Sequence, residues 1–148
     1  MQDDFLPSKD FFNFDFYKIA ESETAHFTGD LENATWGIIT IHMQNAQEEL
    51  LQNMLKAVGV SLQQGATVLQ VPAMTLLSLS DYVNHFPKVQ YWLIFGFNAT
   101  AMGWQFDVPF YKPINWKEKK IIFADALALI QNDLSKKKIL WQGLQQII

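Results

Sequence analysis

The chain has 148 residues, of which 49% are apolar and 18% charged, so it is long enough for one domain with a sizeable core and too apolar to be disordered over most of its length. It contains no cysteine, which excludes disulfides, thiolate nucleophiles and zinc–cysteine sites. The net charge is −4 and all basic residues are lysine, so the bidentate guanidinium fork suited to phosphate and guanine is missing, which argues against direct nucleic-acid recognition.

The charge is unevenly spread. Residues 1–32 hold eight acids and two lysines, a net −6, whereas the remainder holds seven acids and nine lysines, a net +2. Residues 1–30 therefore read as an acidic arm and residues 31–148 as an α/β domain. The arm carries Phe11, Phe12, Phe14, Phe16 and Tyr17 among its acids, and these aromatics are the candidate partner-binding residues. It either folds back over the domain or orders on a protein partner.

Residues 36–43 are dense in β-branched and apolar side chains and predict a buried strand. Residues 47–58 place Leu51, Leu55 and Val58 at amphipathic-helix spacing, and Gly59 is a natural stop. Residues 67–71 predict a second strand bounded by Pro72. Residues 76–86 predict a short helix capped by Ser78 or Ser80. A third strand spans residues 89–95 and ends at Gly96, followed by a short helical piece or turn over 97–104. Residues 106–114, with their prolines, read as irregular or as an edge segment. A fourth strand covers 120–123, and one terminal helix covers 127–148 with Leu127, Ile130, Leu134, Trp141, Leu144 and Ile148 on one face. Alternating strands and helices with apolar strands predict a three-layer α/β/α domain around a mostly parallel four-stranded sheet. The expected core contains Ile39, Ile41, Leu51, Leu55, Leu93, Phe95, Ile122, Trp141 and Leu144.

Residues with catalytic potential are sparse. There is no Gly-x-Ser-x-Gly elbow and no phosphate-binding glycine loop, and Gly96-Phe97-Asn98 reads as a tight strand-to-helix turn. His26, His42 and His85 have no partner at metal-ligand spacing. His42 lies near a strand end, where α/β sites form, but equally suits a backbone-bonded residue. Asp125 follows the fourth strand and suits either a general base or an N-cap of the last helix. Two lysine groups remain. Lys117, Lys119 and Lys120 form one, and Lys136, Lys137 and Lys138 form the other, a candidate basic surface or a solvated face. No catalytic residue, metal site or cofactor is assigned. No apolar run reaches the roughly 18 residues of a membrane span. The acidic start Met1-Gln2-Asp3-Asp4 is unlike a secretory signal, so the cytoplasm is the expected location and no membrane partner is expected.

The run Trp92-Leu93-Ile94-Phe95-Gly96-Phe97-Asn98-Ala99-Thr100-Ala101 resembles the middle motif of uracil-DNA-glycosylase-like domains. Ala124-Asp125-Ala126 stands where those enzymes have His-Pro-Ser, and Met43-Gln44-Asn45-Ala46 stands where they have a water-activating loop. The stretch from Ala124 through Leu140-Trp141-Gln142-Gly143-Leu144 is similar to the C-terminal segment of the psi family, accessory subunits of the bacterial DNA polymerase III clamp loader. Leu50 to Ser61 is similar to that family's first helix and turn. The resemblance implies a glycosylase-like fold without catalytic residues, a role in DNA replication by protein–protein binding, and clamp-loader subunits as partners. Two other readings stay open: a nucleic-acid enzyme of the glycosylase superfold with an atypical site, and an unrelated binding protein.

Overall fold

The computed structural model describes residues 26–148. Strands β1 (His26–Gly29), β2 (Trp36–Ile41), β3 (Ala66–Val71), β4 (Tyr91–Phe95), β5 (Ile114–Trp116) and β6 (Lys119–Ala124) form one sheet in the order β1-β3-β2-β4-β6-β5. The helices are α1 (Asn45–Ala57), α2 (Leu79–His85), α3 (Leu127–Ile130) and α4 (Leu134–Ile147), with a 3-10 turn at Thr100–Met102.

This corrects the expected four-stranded, mostly parallel three-layer sandwich and its glycosylase-like outline. Among the described residues the sheet is mixed and six-stranded. Its centre, β3-β2-β4-β6, is parallel, and antiparallel β1 and β5 close its two edges. Both edge strands are too short to show a hydrophobic period. β1 lies within the range assigned to the arm, and β5 follows the segment read as irregular. The central strands are apolar on both faces because both faces are covered. Trp36, Ile38, Val68, Leu93, Phe95 and Ile122 meet α1, α3 and α4 on one face. Ile39, Leu69, Trp92, Ile94 and Phe123 meet α2 and the loops around Phe97 and Met102 on the other. Among the described residues the second face is therefore covered by one short helix and irregular chain.

Local chemistry sets several boundaries. Ser78 caps α2, its Oγ accepting from the Asp81 N–H at 3.4 Å. The expected single terminal helix is broken at residues 131–133, because Asp133 starts a new helix by accepting the Lys136 N–H at 3.2 Å. The break re-phases the helix surface, so Leu140, Gly143, Leu144 and Ile147 face inward. Trp141, expected in the core, is 37% exposed, and Ile41 is only half-buried. Among the described residues no helix is long and apolar enough to cross a membrane.

Candidate functional site

In a parallel sheet the switch point lies where successive connections run to opposite sides, and ligands bind at the carboxyl ends of the strands there. Here that point falls between β2 and β4, since the chain passes from β2 to β3 on one side and then to β4 on the other. Gly96 ends β4 at φ 86, and its N–H donates to Ala124 O at 2.9 Å. A Cβ on Gly96 would lie 2.7 Å from Ile41 Cδ1 and 3.3 Å from Ala126 Cβ, so two apolar side chains close over the crevice. The depression left beside them, lined by His42, Met43, Gln47 and Leu127, has a volume of about 90 Å³. Small-molecule sites occupy roughly 300–1,000 Å³.

Several backbone donors at this edge are engaged. The Met43 N–H donates to Gln70 Oε1 at 2.9 Å, and the Gln44 N–H to Gln47 Oε1 at 2.8 Å. Asn98 Oδ1 accepts from the Ala101 N–H at 2.9 Å, so Gly96-Phe97-Asn98 is a strand-to-turn junction whose side chain caps the following turn. His42 is exposed at the end of β2, and its N–H donates to Val71 O at 3.1 Å. His85 is exposed at the end of α2, with its ring edge-on to Phe86. Among the described residues no three His, Asp or Glu side chains converge to hold a metal ion.

Asp125 is not the cap expected of it. The N-cap of α3 is Ala126, and Asp125 instead accepts from the Tyr111 hydroxyl at 2.5 Å and from Lys136 Nζ at 2.9 Å. Burial works against the Asp125 charge, but the hydrogen bonds from Tyr111 and Lys136 outweigh it and hold the carboxyl below its ordinary range. Burial pushes the Tyr111 phenol up, and its bond to Asp125 adds to that. The bond to Asp125 raises Lys136 in turn. The group pins the segment before β5 to the start of α4. Nothing in the sequence marked Tyr111, which sits in the stretch read as irregular.

The two lysine groups do not converge. Lys119 and Lys120 begin β6, whereas Lys136 meets Asp125 just beyond the end of that strand, roughly 20 Å away at strand rise. Lys117 Nζ donates to Ser80 Oγ at 3.0 Å, Lys119 Nζ to Pro87 O at 2.8 Å and Lys120 Nζ to Asn115 Oδ1 at 3.0 Å. In the second group Lys136 is tied to Asp125, Lys137 is half-buried and Lys138 is exposed.

These last two lysines flank an apolar stripe. Leu134, Trp141 and Ile148 recur every seven residues, so they align along one side of α4, at 78%, 37% and 59% exposure. The expected face had grouped them with Leu127 and Ile130, as if the helix ran unbroken. The Asn132-Asp133 pair was the signal that could have separated them, since Asp is a preferred N-cap. Phe11, Phe12, Phe14, Phe16 and Tyr17 lie outside the described residues. No protein-family model matches the chain, and no curated protein matches it significantly.

Proposed function

We propose that the chain is a non-catalytic adaptor that acts in the cytoplasm by binding other proteins, as the psi subunits of the bacterial clamp loader do in DNA replication. The observation that carries the reading is the closed switch point, where Ile41 and Ala126 fill the crevice over Gly96 in which a fold of this kind places chemistry. An exposed apolar stripe on α4 is, by contrast, the type of surface that protein partners cover. The psi-like segments and the aromatic, acidic N-terminal arm agree with such a role. Two partners held on one chain gain effective concentration without chemistry.

The test is an affinity capture of purified clamp-loader subunits by the full chain and by a chain lacking residues 1–25, which leaves β1 in place. Capture by the full chain supports the proposal, and its loss on truncation assigns that contact to the arm. Failure of the full chain to retain any of them removes the clamp-loader reading. Uracil-containing DNA incubated with the pure protein should stay intact. Excision that disappears in His42→Ala would replace the adaptor with an enzyme.

A further inference from the structure

We propose that the apolar stripe of α4 is the docking site of the chain's own residues 1–25. Leu134, Trp141 and Ile148 form a line along the exposed side of the helix, and Lys137 and Lys138 flank it. Helix α4 carries three lysines and no acidic side chain, and among the described residues Lys136 is the one that is ion-paired, with Asp125 at 2.9 Å. Residues 1–25 have the complementary composition. They contain six acids against two lysines, a net −4, interleaved with Phe5, Phe11, Phe12, Phe14, Phe16 and Tyr17. Aromatic rings suit the Leu–Trp–Ile line, and the acids suit its lysine border.

The topology brings the two together. His26 pairs with Gln70, so residues 1–25 join the sheet at the carboxyl end of the parallel strands. The first turn of α4 stands at that same end, where Lys136 reaches Asp125 just past β6. From β1 to β6 is four strand spacings, roughly 19 Å. Twenty-five residues span as much as roughly 80 Å when extended, so the segment reaches α4 with length to spare. A segment seated there covers the stripe within the chain itself, and any protein that takes either the arm or α4 must first displace the other.

The chain has no cysteine, so Ser8→Cys gives a single attachment point for a paramagnetic label in the full-length protein. Amide signals of Leu134, Lys138 and Trp141 should lose intensity relative to the reduced label. High salt, or Lys137→Glu with Lys138→Glu, should restore them. Unchanged α4 signals in the pure full-length chain overturn the proposal. So does a loss that also appears when label and isotope are on separate molecules mixed together, which puts the segment on a second copy.

Discussion

The α-carbon of Gly143 lies so close to the Tyr111 carbonyl that a Cβ there would stand 2.8 Å from its oxygen. Tyr111 is held on its other side by its N–H, which donates to Phe123 O at 2.7 Å, and it sits at φ 68. Helix propensity alone favours alanine over glycine by about 1 kcal/mol in a helix interior. At this position the sign reverses, because Tyr111 cannot draw its carbonyl back without straining the bond its N–H donates to Phe123 O in β6. Gly143→Ala should lower stability by about 1–3 kcal/mol in urea unfolding. A gain in the unfolding midpoint would show that the loop is free to move.

The Tyr111–Asp125–Lys136 group predicts a pH signature. Asp125 is lowered in the folded state, so its contribution is fully present above its ordinary value of 3.8 and is lost as pH falls through the lower folded value. Lys136 is raised, so its contribution is present below 10.5 and lost as pH rises through the folded value. Asp125→Asn should therefore flatten the loss of stability at the acid end and remove the Lys136 component at the alkaline end. Melting curves of wild type and variant that stay parallel at every pH would contradict the pairing.

Inward and outward positions on α4 should respond differently. Leu144 is 1% exposed and Leu55 is fully buried, so either one changed to alanine should cost roughly 2–5 kcal/mol. Trp141→Ala should cost less than Leu144→Ala, since Trp141 keeps 37% of its surface in solvent. Thermal melts of the three variants check the order, and a larger effect at Trp141 than at Leu144 would contradict this assignment of inward and outward faces.

The hairpin between β5 and β6 carries a correctable strain. Trp116 pairs with Lys119, and the loop residues Lys117 and Glu118 both have positive φ, at 52 and 63. That is the mark of a type I′ turn, which favours Asn-Gly. Glu118→Gly should raise stability by about 1 kcal/mol, measurable as a higher melting temperature. An unchanged or lower value would show that the Glu118 side chain compensates through contacts of its own.

How far these features were legible depended on length and period. The central strands stand in the sequence because continuous apolar runs such as Tyr91–Phe95 have no solvated side to interrupt them. β1 and β5 were missed because four and three residues carry no usable alternation. Ser78 and Ser80 both stood in the sequence as candidate caps because polar residues lie near the start of an amphipathic run, and Ser78 is the one the structure uses. The break before Leu134 was hidden because Leu127, Ile130 and Leu134 keep helical spacing straight across it. The role of Asp125 was hidden for a different reason. Its partners are 14 residues before it and 11 after it, a relation that only the tertiary fold creates.

Strand β1 also has a mechanical consequence. Among the described residues it is bonded to β3 alone, from His26 opposite Gln70 to Gly29 opposite Thr67. Just past it Asp30 is anchored twice, its N–H donating to Ala66 O at 2.9 Å and its Oδ2 accepting from the Gly65 N–H at 3.1 Å. A partner that grips the arm and moves away loads these bonds in sequence, as a peel, beginning at His26. Peeling breaks one bond at a time and needs far less force than shearing the whole ladder. The edge strand therefore yields before the core is disturbed, paying out roughly 13 Å of tether before the anchored Asp30 takes the strain.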